Sequence, residues 1–298
     1  MAPRTLSKDQ TCQVWIYDTV SSEETLVLET CDRLLEAPNW TLQGDALILN
    51  GDGKLWRLEL EDRDLVPIEL WGLPPANNDH VLDPDGRHIF ISTYDDWQIY
   101  RAPLTGGQAI KITGNAGPPG LRNFLHGVSP DGQQLTFVGV RAALHGENEK
   151  FVSAEICLVD ASGRNFKQLT DAGAPADGPE YSPDGQWIYF NTETFSGHAQ
   201  IARMRLDGSE LTRLTFSPTV DWFPHVSPNG KSAVFLAYAE GTHGHPANKW
   251  VELKVVHGED WTKAQTAVRL FGGQGTINVN SWSPDGRCFA YVSYPTER

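Results

Sequence analysis

Six short apolar runs recur along the chain, and they alternate too little to be strands with one face in water. The runs are Ala46–Leu49, Ile89–Ile91, Leu135–Val138, Trp187–Phe190, Ala233–Leu236 and Phe289–Val292. A strand with one wet face alternates apolar and polar residues, whereas a strand covered on both faces does not. The runs therefore predict strands of sheets that are packed between two neighbouring sheets.

A turn phrase precedes each run. Five copies read Asp or Ser, then Pro, then Asp or Asn, then Gly; they begin at Asp83, Ser129, Ser182, Ser227 and Ser283, and a degenerate sixth copy is Thr41–Gly44. The first side chain hydrogen-bonds the backbone, Pro presets φ, and Gly adopts the left-handed conformation. The copies lie 42 to 56 residues apart, and an apolar residue stands two positions before each Pro. The chain is therefore predicted to be an array of six similar units.

A hairpin follows each of the first five runs. Three hairpins turn at Gly106-Gly107, Ser162-Gly163 and Asp207-Gly208, and looser copies span 54–70 and 252–270. Such dipeptides are hairpin signals. Each unit thus contains two strands around the turn phrase and two strands in the hairpin, which is the content of a four-stranded antiparallel propeller blade.

The sixth unit lacks its hairpin, because the chain ends just after its second strand. A hairpin that belongs to no other unit lies at the N-terminus, from Gln13–Asp18 to Thr25–Leu28. We therefore predict an all-β, six-bladed β-propeller, one domain over residues 1–298, whose N-terminal hairpin joins the last blade and closes the ring. The predicted blades span residues 34–72, 78–113, 123–170, 177–215, 221–270, and 277–294 together with 12–30.

The repeats resemble those of TolB-type propellers. The resemblance rests on the Ser-Pro-Asp-Gly phrase before an apolar strand and on hairpins that end in Leu-Thr, and it covers Cys12 to Tyr294. It implies a propeller without the N-terminal α/β domain of TolB. The G-x-S-x-G elbow of the related oligopeptidases does not occur in the sequence. The repeats are also similar to the propeller of oligogalacturonate lyase, which uses histidines and a metal, but its site cannot be matched residue by residue.

Charge and composition exclude some partners. The net charge of −14 disfavours nucleic acid and anionic membranes. No apolar run reaches the length of a membrane span, and the first thirteen residues lack the apolar segment of a signal peptide. We therefore expect a cytoplasmic protein, or a periplasmic one if a signal was removed. Cys12 and Cys31 could form a disulfide across one hairpin, but free buried thiols are favoured.

Propeller topology sorts the loops onto two faces. The turn phrases and hairpin turns lie on one face, the turn face, where the connections are mostly short. The loops between second and third strands and the links between blades lie on the other, the link face. Seven of the nine histidines fall on the link face by this assignment: His80, His126, His145, His198, His225, His243 and His245. Because loops on a rigid scaffold commonly carry function, this face is the predicted site.

The predicted ligand-binding residues mostly precede the innermost strand of their blade, so we expect them to converge at the mouth of the central channel. They are His80, His126, Asp177, Glu180, Asp221, Trp222, His225 and His245. Each also has a structural interpretation. A histidine there can hydrogen-bond the backbone of a neighbouring blade, an aspartate can cap a turn, and the tryptophan can pack in the core.

Three functions remain compatible with these patterns. The first is a non-enzymatic binding or protein-interaction module that holds a peptide, a protein segment or a saccharide at the His/Asp/Trp-lined mouth. The second is a metal-dependent lyase or hydrolase whose channel histidines bind a divalent metal ion. The third is a scaffold whose partner docks on the rim. No local motif for a catalytic triad or a phosphate-binding loop supports another class.

Overall fold

The computed structural model describes residues 3–114, 116–145 and 148–296, without the side chains of 143–151. The side chain of His145 therefore lies outside the described part of the chain. Within that part the chain forms six antiparallel β-sheets, one two-stranded parallel sheet and one 3-10 helix, Trp261–Lys263. The sheets are arranged as six blades around a central axis, which confirms the predicted propeller.

The first half of the chain forms the N-terminal hairpin and blades 1 and 2. The hairpin consists of β1 (Cys12–Asp18) and β2 (Glu24–Thr30). Blade 1 consists of β3 (Glu36–Trp40), β4 (Ala46–Gly51), β5 (Lys54–Glu59) and β6 (Leu65–Ile68), and β7 (Leu70–Trp71) follows. Blade 2 contains β8 (Ala76–Leu82), β9 (His88–Thr93), β10 (Ile99–Pro103), β11 (Gly107–Gln108) and β12 (Ile110–Lys111). Strand β11 leaves its blade to pair in parallel with β7.

The second half forms the remaining blades. Blade 3 consists of β13 (Arg122–Val128), β14 (Gln134–His145), β15 (Asn148–Asp160) and β16 (Lys167–Gln168). Blade 4 consists of β17 (Ala176–Tyr181), β18 (Trp187–Thr192), β19 (Gln200–Arg205) and β20 (Thr212–Arg213). Blade 5 consists of β21 (Val220–Val226), β22 (Ser232–Tyr238), β23 (Ala247–His257) and β24 (Gln265–Gly273). Blade 6 is completed by β25 (Cys288–Ser293), and its strand order is β2-β1-β25.

The N-terminal hairpin closes the ring as predicted. Strand β1 pairs antiparallel with β25 from Gln13 opposite Ser293 to Asp18 opposite Cys288. Cys12 is buried and lies opposite Thr30, whereas Cys31 is exposed, and both thiols are free. The favoured absence of a disulfide therefore holds for this pair, although only Cys12 is buried.

The hydrophobic core lies between neighbouring blades, and the second strand of each blade is covered on both faces. In β4, Leu47 and Leu49 pack into a cluster with Val14 of blade 6, while the intervening Ile48 packs with Ile89 of blade 2. Successive side chains of one strand thus serve opposite neighbours. This is the physical reason for the continuous apolar runs in the sequence.

The turn phrases adopt the predicted conformation. Gly132 and Gly185 have φ values of 71° and 68°, the left-handed region that favours glycine. In the phrase of blade 4, Oγ of Ser182 accepts hydrogen bonds from the backbone amides of Gln186 and Trp187. These turns fix the start of each second strand, and they place the five turn-phrase prolines, with Leu42 as their equivalent in blade 1, around the axis.

Candidate functional site

The innermost strands carry β-bulges that re-aim their side chains into the channel. Register shifts occur between Asp177 and Glu180 in β17 and between Trp222 and His225 in β21. A bulge inserts an extra residue and turns the following side chain toward a new direction. The predicted site residues of these two blades are therefore distributed over two levels of the channel.

Four ionisable side chains from four blades meet in the channel, and we call them the His126 cluster. Nε2 of His126 lies 3.3 Å from Oδ1 of Asp177 and 3.8 Å from Oδ1 of Asp79. Nε2 of His245 lies 3.8 Å from Oδ2 of Asp177. The structure thus brings together three of the predicted residues, His126, Asp177 and His245, and adds Asp79.

The charges of the His126 cluster shift one another's pKa values. Burial raises the pKa of Asp79 to about 6; His126 opposes this rise and the nearby Asp177 carboxylate adds to it. Burial alone would lower the pKa of His126, but the carboxylates of Asp79 and Asp177 raise it above its usual value. Burial alone would raise the pKa of Asp177, but His126 holds it below its usual value. The cluster therefore favours a protonated His126 beside an ionised Asp177, with Asp79 as the group that titrates.

We expect Asp79→Asn to stabilise the protein at pH 7.5 and to have little effect at pH 4. The folded-state pKa of Asp79 is raised, so the folded protein favours the protonated carboxyl. The contribution of this carboxyl to stability is complete below the unfolded-state pKa and is lost as the pH rises through about 6. The variant should gain about 2 kcal/mol in unfolding free energy over this interval, measured by urea denaturation at each pH. Asp207→Asn, on an exposed turn, is the control and should show no such gain. A gain that does not change with pH would contradict the assignment.

Glu180 and His225 form a second buried polar unit, nearer the turn face. Oε2 of Glu180 lies 2.6 Å from Nδ1 of His225. Oε1 of Glu180 accepts hydrogen bonds from the Val226 amide at 3.1 Å and from Nδ2 of Asn280 at 2.6 Å. Nε2 of His225 lies 2.7 Å from the Ile277 carbonyl oxygen. This unit connects blades 4, 5 and 6 through buried hydrogen bonds, so its geometry indicates a structural role.

Aromatic rings cover the link-face side of the His126 cluster. The ring centroids of Trp222 and His245 are 4.4 Å apart, and Phe223 stacks on His126 at 5.6 Å. Trp222 is buried, and its indole nitrogen has no hydrogen-bond partner among the described residues. Trp222 is thus part of the packing around the cluster.

Two further predicted residues, His80 and Asp221, belong neither to the His126 cluster nor to the Glu180–His225 pair. Nδ1 of His80 lies 2.8 Å from Oδ1 of Asn39, and burial lowers the pKa of His80 to about 3. Asp221 accepts hydrogen bonds from Oγ1 of Thr219 at 2.7 Å and from Oγ of Ser217 at 3.0 Å. His80 is therefore a neutral bridge between blades 1 and 2, and Asp221 caps the link that precedes its own strand.

Sequence reasoning missed an ion pair at the link-face end of the channel. Nη1 of Arg4 donates to Oε1 of the buried Glu36 at 2.6 Å and to the Gln274 carbonyl oxygen at 2.5 Å. Burial raises the pKa of Glu36, and Arg4 opposes this rise. Arg4 precedes the first strand and Glu36 belongs to the degenerate repeat, so neither stands in a recognisable pattern. Asp79, in contrast, directly precedes His80 in the sequence and could have been included.

A cavity of about 380 Å³ occupies the turn-face end of the channel. Every blade contributes the residue two positions before its turn proline and the proline itself, or its equivalent. The wall consists of Trp40, Leu82, Val128, Tyr181, Val226 and Trp282, and the rim of Leu42, Pro84, Pro130, Pro183, Pro228 and Pro284. The floor is polar and includes Asn39, His126, Glu180 and Asn280. The sequence contained this signal, because the apolar residue before each turn recurs in all six repeats.

The channel histidines do not fit a metal centre. Across residues 3–114, 116–145 and 148–296, no three His, Cys, Asp or Glu side chains are arranged to hold a metal ion. A transition metal needs several donor atoms at about 2.1 Å from one point. His225 instead uses both ring nitrogens on Glu180 and a carbonyl, and His126 uses one on Asp177 and the other on the Asn278 carbonyl at 3.1 Å. Among the described residues, the divalent metal of the second hypothesis therefore finds no donor set.

The fold and the channel define a six-bladed β-propeller with a polar-floored central cavity that opens on the turn face. The model of the TolB β-propeller domain matches residues 128–252. The uncharacterized protein Atu1656 of Agrobacterium fabrum is 40% identical over 265 residues, 88% of this chain and 85% of that protein. The chain belongs to the TolB β-propeller family.

Solved structures show the same relationship. A candidate TolB from Agrobacterium tumefaciens is 37% identical, with a TM-score of 0.87 over 97% of this chain and 99% of that chain. TolB from Acinetobacter baumannii is 17% identical, with a TM-score of 0.55 over 98% of this chain and 66% of that chain, and it shows the fold alone. Among the described residues, no helix is both long enough and apolar enough to cross a membrane.

Proposed function

We propose that this protein is a non-enzymatic binding module that takes an apolar side chain of a partner's protein segment into the turn-face cavity. One observation carries the proposal. All six blades contribute equivalent apolar residues to the wall, above a floor whose polar groups are already hydrogen-bonded within the protein. The TolB-like fold fits a module of this kind.

The lining favours an apolar anchor over a saccharide. Trp40, Tyr181 and Trp282 offer aromatic surface, and the prolines of the rim add rigid apolar contacts. A saccharide would need accessible free donors and acceptors, but Glu180 already accepts three hydrogen bonds and Asn280 donates two. The unpartnered Trp40 Nε1 and Tyr181 hydroxyl are buried away from solvent. Protein segments commonly bind through one or two large side chains that fill such a pocket. The volume of about 380 Å³ suits this mode.

In this proposal the His126 cluster supports the floor from the link-face side. Its members have carboxylate or carbonyl partners and are covered by Trp222 and Phe223. The predicted His/Asp/Trp mouth is thus the underside of the binding cavity. A rigid floor lowers the conformational cost of binding, because no side chain has to be ordered when the partner enters.

Selection of a random peptide library on the protein tests the proposal. We expect enriched peptides that share an aromatic or large aliphatic residue and bind with micromolar affinity, measured by fluorescence anisotropy. Val128→Trp, which fills the cavity from β13, should weaken binding at least about tenfold, as one lost anchor does. Val66→Trp, on the exposed outer strand of blade 1, is the matched control and should bind normally.

A variant at the cavity rim keeps the proposal testable if Val128→Trp fails to fold. Leu42 is 48% exposed at the cavity rim, so Leu42→Glu should fold normally and still weaken binding. Chelation of metal ions should leave the affinity unchanged. Equal affinity of the wild type, Val128→Trp and Leu42→Glu, or a complete absence of enriched peptides, would refute the proposal.

A further inference from the structure

A second cavity of about 430 Å³ lies in the wedge between blades 4 and 5 on the turn face. It adjoins the central cavity, with which it shares Pro183 and Pro228. Its walls carry three aromatic residues, Trp187, Tyr189 and Trp261. The rings of Tyr189 and Trp261 are stacked, with centroids 5.6 Å apart and an interplanar angle of 21°. The walls of this cavity are therefore aromatic and ordered by ring stacking, and the cavity has no part in the proposed function.

Arg203 lines this cavity. Its guanidinium carbon lies 4.2 Å from the Trp187 ring centroid, and its Nη1 donates to the Tyr189 hydroxyl at 3.4 Å. Its Nε is buried and has no hydrogen-bond partner in the described part of the chain. No described carboxylate forms an ion pair with it. A guanidinium presents five N–H donors in a planar fork, so most of its hydrogen-bonding capacity remains unused.

Arg205 lies two residues further along β19 and provides a comparison, because two of its side-chain nitrogens have partners within the protein. It stacks on the same Trp187 ring at 3.7 Å, but its Nε pairs with Glu210 at 3.3 Å and its Nη1 donates to Gln186. The chain has 38 acidic and 24 basic residues, so carboxylate partners are abundant. Arg203 therefore differs from its neighbour on the same ring in lining a cavity with donor N–H groups that no described carboxylate engages, and a ligand could engage them.

We propose that this cavity binds a carboxylate carried on an aromatic ring. The carboxylate accepts two parallel hydrogen bonds from Arg203, the geometry that a guanidinium favours. The ring of the ligand packs against Tyr189 and Trp261, since offset and edge contacts between aromatic rings are favourable. The cavity volume lies within the range of small-molecule sites.

Two acidic residues on the walls limit the charge of the ligand. Asp184 and Glu259 both line the cavity. Oδ1 of Asp184 accepts hydrogen bonds from the Ser182 hydroxyl and the Gln186 amide, so this oxygen serves its own turn. The two carboxylates still repel a dianion more strongly than a monoanion. We therefore expect a single carboxylate to bind in preference to a phosphate.

Binding of benzoate to the full-length protein, followed by saturation-transfer NMR and titration, tests this assignment. Benzoate should bind in the millimolar range or better, and benzamide, its neutral isostere, should bind at least about tenfold more weakly because it lacks the charge. Phenyl phosphate at pH 7.5 should also bind more weakly than benzoate. Arg203→Gln should abolish the preference for benzoate over benzamide.

Arg205→Gln is the matched control, because it removes a guanidinium from the same Trp187 ring outside the cavity lining, and it should keep the preference. Equal binding of benzoate and benzamide to the wild type would overturn the proposal whether or not Arg203→Gln folds. An unchanged preference in a folded Arg203→Gln protein would overturn it as well. The peptides selected for the central cavity should bind Arg203→Gln normally, so the two proposals fail separately.

Discussion

Deletion of residues 1–30 is expected to abolish soluble folding. The deletion removes β1 and β2, which supply two of the three paired strands of blade 6. It exposes the edge of β25 and uncovers Ala290 and Val292, which are fully buried in the intact ring. An unpaired strand with an apolar face aggregates or unfolds. Size-exclusion chromatography and circular-dichroism melting should show aggregation and no cooperative transition.

A circular permutant separates ring closure from loss of sequence. The backbone amide of Thr11 donates to the Pro295 carbonyl at 2.9 Å, so the segment before β1 lies beside the segment after β25, and a flexible linker can join residue 298 to residue 1. A permutant that begins at residue 32 retains the hairpin after β25 and should fold and melt cooperatively. A truncated protein that melts like the intact chain would contradict closure by the hairpin, and so would a permutant that fails to fold.

Replacement of Glu180 by alanine is expected to cost about 3–5 kcal/mol in unfolding free energy. The substitution leaves the buried His225 ring, the Val226 amide and the Asn280 side chain without their common acceptor. Breaking a buried pair by removing one partner carries this penalty, because the remaining groups stay desolvated. Urea denaturation at pH 7 measures the loss.

A double-mutant cycle identifies how much of this loss belongs to the pair. Glu180→Ala combined with His225→Ala should destabilise by about 1–3 kcal/mol less than the sum of the single variants. Glu210→Ala is the control, since its pair with Arg205 is solvent-exposed and should contribute less than about 1 kcal/mol. A loss from Glu180→Ala as small as that of the control would show that Glu180 does not brace the channel.

The fold was readable from the sequence because each of its determinants is local. A turn phrase such as Ser182–Gly185 encodes its own geometry in four residues, and an apolar run such as Ala46–Leu49 reports that both faces of a strand are covered. Six repeats then require a closed ring, and the unpaired hairpin at Gln13–Asp18 supplies the closing strands. None of these inferences needed to know which distant side chains touch.

The site was only partly readable, because its properties depend on pairing between blades. The sequence brought His126, Asp177 and His245 into one group, but only the tertiary structure showed that Asp79 completes their cluster and that Asp221 caps a turn instead.

The sequence by itself determined the strands, the turns, the number of blades and the way the ring closes, since these follow from periodicity and local backbone preference. The tertiary structure alone decided which polar groups inside the channel are already paired, that the cavity opens among the turn prolines, and that Arg203 lacks the carboxylate that Arg205 has. Burial, hydrogen-bond satisfaction and charge balance belong to residues tens to hundreds of positions apart. A sequence pattern does not show these properties, because they arise only when the blades pack together.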